Sequence, residues 1–366
     1  MANAGAVEIF FKKGRLLTPE ALRYLENKNA ENFLSESSDL VVDVEDLLAR
    51  EDKIHIIRNI TGKKSEVTTA DIVRFYNSKY EKMKNIILSR MQKNFISINK
   101  LDTQRSEVCV IGIVRDIKGN EGKKNIELED STGSVTVVFE PNLIEDLELD
   151  DVVAVQGIAA GKVMFGKKIL FPDVPLRQPT KGSGKACFIS DLHLDEAPKQ
   201  DLEKFLRWLE GQDTRYLFVV GDIGDINIFE YLVDAYCRDK KVFVAMGKDA
   251  EEMPGFPSEL KSKNVIALSN PALVEINGIK ILVINNFDIK MLRKRHLGNI
   301  KPILEEDFMA LEELPDIVHC GHSHEASINN YKSTTIINAG SLLTNFRPVI
   351  VDFATRECMQ VDVAGL

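Results

Sequence analysis

Apolar positions along the chain fall into three textures. Up to about residue 90 they recur at helical spacing. Leu22 and Leu25 follow Thr18 and Pro19, an N-cap residue with proline at the first helical position. Asp43 stands before Val44–Leu48 as a second candidate cap, and Thr69–Ile87 is long, charged and compatible with a helix. Residues 91–102 (MQKNFISINKLD) read as a linker. From 103 to 177 the period shortens. EVCVIGIVRD (107–116), NIELEDSTGSVTVVFE (125–140), DVVAVQG (151–157) and Val163–Leu170 are β-rich runs parted by Gly, Asn and Asp turns, which predicts a small barrel. A second linker, 178–185, contains KGSGK. Beyond it, apolar runs that end in polar motifs alternate with helical stretches. In Asp201–Leu209 the side chains of Leu202, Phe205, Leu206 and Leu209 share one face, and the alternation predicts an α/β architecture.

Charge narrows the function classes. The 366 residues carry a formal net charge of −9, which excludes a wholly basic nucleic-acid coat protein but leaves room for a local basic groove. No apolar run approaches the roughly 18 residues of a membrane span, and MANAGAVEIFFKKGRLL lacks a signal-peptide layout. A soluble, cytoplasmic protein with no membrane contact is expected. The five cysteines form no CxxC pair, so buried thiols are expected rather than a zinc ribbon or disulfides. Within the second texture, LEDSTGSVTVVF resembles the turn between two strands of an OB-fold. Residues 103–177 hold 9 Lys/Arg against 13 Asp/Glu, and their only aromatics are Phe139, Phe165 and Phe171. That is a poor surface for stacking bases, so a docking or spacer role is favoured for the barrel over single-strand binding.

The chemistry is carried by four strand-like runs that end in metal-capable residues. ACFIS leads into DLHL with Asp191 and His193, and YLFVV into GDIGD with Asp222 and Asp225. KVFVAM leads into GKDAE with Lys248 and Asp249, and DIVHC into GHSH with His322 and His324. Ligands at the carboxyl ends of neighbouring strands converge on one crevice of an α/β sheet. Carboxylates with imidazoles suit Mn, Fe or Zn. Two such ions about 3.5–4 Å apart can clamp a phosphate, supply a hydroxide nucleophile and stabilise the leaving oxygen.

The ordered series DLHL, GDxxD and GHSH resembles the calcineurin-like metallophosphoesterases. With a helical N-terminal region and an OB-fold before it, and with MLRKRHLGNI at Met291–Ile300, the chain is similar to the small subunits of archaeal family-D DNA polymerases. The resemblance implies a multidomain α+β chain: a helical region 1–90, an OB-fold 103–177, and an α/β calcineurin-like metallophosphoesterase domain 186–366. It also implies that Asp191, His193, Asp222 and His324 hold a first metal, Asp222 bridging, and that His296 and His322 hold a second. Asp225 is expected to orient its loop, and His319 to be structural. The family's GNHD or GNHE appears here as GKDA. Lys248 stands where an asparagine ligand is expected, and an ammonium cannot coordinate metal. Asp249 stands where a histidine is expected and could bind metal, or act as a catalytic acid with a strongly raised pKa. The run Lys290, Arg293, Lys294 and Arg295 reads either as a solvated helix face or, with Lys248, as contacts to substrate phosphates.

Two functions follow from the resemblance. One is a polymerase small subunit with a divalent-metal (Mn, with Zn or Fe as alternatives; one or two ions) 3′–5′ exonuclease site. The other is a non-catalytic accessory that stabilises the large catalytic subunit. DNA is an expected partner of both, as is the sliding clamp through the complex. A free-standing phosphoesterase acting on small molecules would need neither the barrel nor the N-terminal region.

Overall fold

The structure, a computed structural model, describes residues 2–26, 30–34, 40–43, 52–60, 67–91, 94–120, 122–247, 260–298 and 306–366. It divides into two compact units, Met1–His55 and Ile56–Leu366, so a boundary falls inside the region 1–90 that the sequence suggests is one. In the first unit the helices Ala2–Lys12 and Pro19–Tyr24 gather Phe10, Ala21, Leu25, Phe33 and Val42 into a small core. Thr18 caps the second helix by accepting from Ala21 N at 3.2 Å, with Pro19 in its first turn. The expected segment Val44–Leu48 lies outside the described residues.

The second unit is built in three parts. The helix Thr69–Arg90 starts with a capping box between Thr68 and Asp71. Its buried face, including Tyr80, Met83 and Ile87, packs on Ile111, Ile113, Val152 and Ala154 of the barrel. The barrel itself closes five strands, Ser106–Asn120, Lys123–Asp130, Gly133–Phe139, Val163–Leu170 and Val152–Ala160, around Val110, Ile126, Val137, Val155 and Met164. A register shift between Val114 and Asp116 lets its longest strand bend to pair on both sides. Gly166 makes room for the ring of Phe139, which a Cβ there would meet at 2.2 Å.

The third part is a sandwich of two six-stranded sheets. The first sheet has the order Val265–Leu268, Lys241–Met246, Tyr216–Gly221, Lys185–Ser190, Val349–Asp352, Cys358–Gln360. Its first four strands run parallel and its last two antiparallel to their neighbours. The second sheet has the order Ser327–Tyr331, Thr334–Asn338, Ile317–Cys320, Ile279–Ile284, Ala272–Ile276, Ile54–Asn59. The strand 54–59 shows that the N-terminal region is not wholly helical. Tyr216–Gly221 is buried at every position, as a parallel strand covered on both faces must be. Phe188, Phe218 and Phe243 stack across neighbouring strands at centroid spacings of 5.3 and 4.6 Å, and His319 of the opposite sheet meets Phe188 edge-on. The outer face of the first sheet is covered by the helices Lys199–Glu210 and Ile226–Tyr236. Leu202, Phe205, Leu206 and Leu209 form the expected stripe, each 0% exposed. The motif-bearing strands therefore come from two sheets rather than one.

Candidate metal centre

Asp191 and His193 follow the strand Lys185–Ser190, Asp222 follows Tyr216–Gly221, and His324 follows Ile317–Cys320 of the other sheet. The ligand atoms of Asp191, His193 and His324 lie within 4.8 Å of one another. His193 Nε2 and His324 Nε2 are 3.1 Å apart. Asp222 stands beside them, with Oδ2 3.9 Å from His193 Nδ1 and Oδ1 accepting from Gly224 N at 2.9 Å.

The backbone is bent to aim these groups. Asp191, His193, His322 and His324 have φ of 47°, 44°, 66° and 57°, four of the ten non-glycine residues with positive φ among the described residues. Such conformations persist where the surroundings over-determine them, and they concentrate at functional sites. Asp191, 2% exposed, lies in a cradle of backbone donors: Asp222 N at 3.3 Å and His322 N at 2.8 Å. Burial raises the pKa of its carboxyl, while those N–H groups and the two histidines pull it back. Glycine is required on both sides of the cradle. A Cβ on Gly221, whose φ is 96°, would meet Asp191 Oδ1 at 2.1 Å, and one on Gly321 would meet Oδ2 at 2.6 Å.

These residues fit a divalent metal. A buried carboxylate and two converging imidazoles are a borderline-hard donor set. Ring nitrogens 3.1 Å apart suit neighbouring positions on one ion with bonds of about 2.0–2.1 Å.

Other expected site residues are placed differently. His322 turns an exposed side chain to solvent and contributes its backbone N–H. His296 is a correction. It is buried with Nε2 3.2 Å from Asp307 Oδ2, while Nδ1 accepts from Gly298 N at 3.3 Å. Both ring nitrogens are engaged, so none is free for a metal. Lys79, Met83, Asp151, Val152, Phe171 and Lys294 share its small cavity at the junction of helix, barrel and sandwich. Burial, then the charge of Lys79, lowers its pKa.

The basic run is corrected as well. Arg293 pairs with Asp146 and covers the ring of Phe171. Lys294 bonds Glu148 at 2.7 Å and Asp151 at 2.9 Å. Arg295 caps its helix and donates to the carbonyls of Leu311 and Glu312. The run joins the sandwich to an acidic loop of the barrel, which engages all three cations with protein partners and leaves only Arg293, 42% exposed, partly open to solvent. Lys248 and Asp249 lie outside the described residues. Asp225 caps the helix Ile226–Tyr236 by accepting from Asn227 N and Ile228 N. His319 sits between the sheets at 0% exposure.

One residue beside the cluster escapes the motif reading. Asn285 ends the strand Ile279–Ile284, and the same point above Gly221 that a Cβ would occupy is 3.1 Å from its Oδ1. The signal was present, since IKILVI is one more apolar run that ends in polar residues.

Residues 185–358 match the calcineurin-like phosphoesterase superfamily domain, which implies divalent-metal use, and residues 108–164 match the OB-fold nucleic acid binding domain. The chain is also similar over most of its length to proteins named DNA polymerase II small subunit. That of Archaeoglobus fulgidus is 28% identical over 81% of this chain and 76% of the relative. That of Methanothermobacter thermautotrophicus is 28% identical over 74% and 72%, respectively. That of Thermoplasma acidophilum is 26% identical over 92% and 85%.

Proposed function

We propose that this chain, which belongs with the archaeal DNA polymerase II small subunits and carries a calcineurin-like phosphoesterase domain, serves a replicative DNA polymerase as its small subunit. Its partners are then a large catalytic subunit, DNA and, through the complex, the sliding clamp, in the cytoplasm and away from membranes. The phosphoesterase domain carries a 3′–5′ exodeoxyribonuclease-type site that is impaired. The observation that supports this is the convergence of Asp191, His193 and His324 beside Asp222, from strand ends of two sheets.

Asp191, His193, Asp222 and His324 are the residues that would hold one ion, manganese by preference. Such an ion supplies charge stabilisation for a phosphodiester and eases ionisation of water. Asp191 is held in place by its two backbone donors, and Asp222 by Gly224 N. The OB-fold offers a single exposed aromatic for stacking, Phe165, since Phe139 is buried and Phe171 lies under Arg293.

The impairment rests on two features. GKDA replaces the expected GNHD, and His296 is committed to Asp307. Those features also favour the second reading, a non-catalytic accessory. A manganese-dependent exonuclease assay on single-stranded and 3′-mismatched DNA, with the intact complex, separates the two. The expected result is slow 3′-end removal, abolished by Asp222→Ala and raised by orders of magnitude in Lys248→Asn/Asp249→His, each tenfold being about 1.4 kcal/mol. Brisk digestion by the unmodified complex, with two metals per chain, overturns the impairment. No digestion by either protein supports the accessory.

A further inference from the structure

Of the buried side-chain atoms that lack a hydrogen-bond partner among the described residues, Asn285 Oδ1 is the one set beside Asp191. Asn285 is 2% exposed, and all its other polar atoms are engaged. Its N–H donates to Asn270 Oδ1 at 2.9 Å, its carbonyl accepts from Gly321 N at 3.0 Å, and Nδ2 donates to the Gly247 carbonyl at 3.3 Å. Turning the amide over would set Oδ1 against that carbonyl, acceptor to acceptor, so the Gly247 hydrogen bond favours this orientation. Oδ1 then shares a small volume with an anion. A Cβ on Gly221 would meet Asp191 Oδ1 at 2.1 Å and Asn285 Oδ1 at 3.1 Å, and one on Gly321 would meet Asp191 Oδ2 at 2.6 Å and Asn285 Oδ1 at 3.1 Å. A buried acceptor without a donor is costly, and one facing a carboxylate more so. A cation between them satisfies both.

We infer that Asn285 Oδ1 is a ligand of the divalent ion at Asp191, a neutral amide oxygen added to the carboxylate and imidazole donors; the inference rests on the metal reading of this site. An amide oxygen is a hard donor, so it favours manganese over zinc. It comes from the second sheet, so together with His324 it makes the ion a link between the two halves of the sandwich.

The test is calorimetric titration of the full chain with MnCl2 and with ZnCl2, for the unmodified protein, Asn285→Ala, Asn285→Asp and Asp222→Ala. Asn285→Ala should weaken manganese binding about 10- to 100-fold, and zinc binding less. Asn285→Asp keeps the size and adds a charge, so it should bind manganese at least as tightly as the unmodified protein even if alanine at 285 unfolds the chain. Unchanged manganese affinity in both Asn285 variants, with Asp222→Ala weakened, overturns the Asn285 assignment alone and leaves Oδ1 to a water. No manganese bound by the unmodified protein, or equal binding by Asp222→Ala, overturns the metal reading and this inference with it.

Discussion

Lys294→Met tests whether the basic run is an internal clamp. Methionine keeps most of the apolar stem and removes the charge. Lys294 Nζ lies 2.7 Å from Glu148 Oε2 and 2.9 Å from Asp151 Oδ2, with side chains 10%, 66% and 14% exposed respectively. The Glu148 contact is largely in water and is worth about 0–1 kcal/mol. Asp151 decides the outcome. Burial already raises the pKa of its carboxyl, Lys294 is the chief opposing influence, and without it the Glu148 N–H at 2.8 Å and the charge of Lys79 remain. Removing one partner of a buried pair costs about 3–5 kcal/mol, and Asp151 recovers part of that by taking up a proton. A loss near 3 kcal/mol at neutral pH, at about 2–4 °C per kcal/mol, lowers the unfolding temperature by about 6–12 °C. Lys294→Met with Asp151→Leu replaces the pair by apolar groups and should recover most of the loss. Thermal unfolding followed by circular dichroism at pH 7, for the unmodified protein, both single variants and the double, reads the cycle. A drop under about 2 °C for Lys294→Met, or a double variant as unstable as the two singles combined, would show that the charge does not hold barrel to sandwich.

Two further outcomes follow from the same geometry. Burial, reinforced by Lys79, keeps the folded-state pKa of His296 below its usual value. Its contribution to stability is therefore complete above the unfolded pKa of about 6.5 and is lost as pH falls below it. The unfolding temperature should decline from pH 6.5 to 5, and His296→Gln should flatten that decline; equal slopes in the two proteins would remove His296 as the cause. Gly221→Ala drives a Cβ into Asp191 and should abolish manganese binding, measured as metal content after gel filtration. Gly298→Ala, with φ of 103° and open space around it, strains the backbone alike but should keep its metal.

Local features were legible wherever the cause was local. The stripe Leu202, Phe205, Leu206 and Leu209 reads as a buried face because one side of a helix recurs at that spacing. Thr18 before Pro19 caps a helix because its side chain reaches only its own first turn. DLHL and GHSH announce metal chemistry because each follows an apolar run whose end must be a strand end. What the sequence left open depends on partners far along the chain. His296 and His324 look equally fit to bind metal, yet the fold sets the first 3.2 Å from Asp307 and the second 3.1 Å from a histidine 131 positions away. Lys294 reads as a surface cation until the fold brings Glu148, 146 positions away, to 2.7 Å. Asn285 carries no motif and is singled out only when two sheets close and bury its amide beside Asp191. Periodicity records which side of an element is buried. Which charge or lone pair meets another across that burial is decided only when separate strands pack, because Coulomb and hydrogen-bond energies depend on a few ångströms that spacing along the chain does not encode.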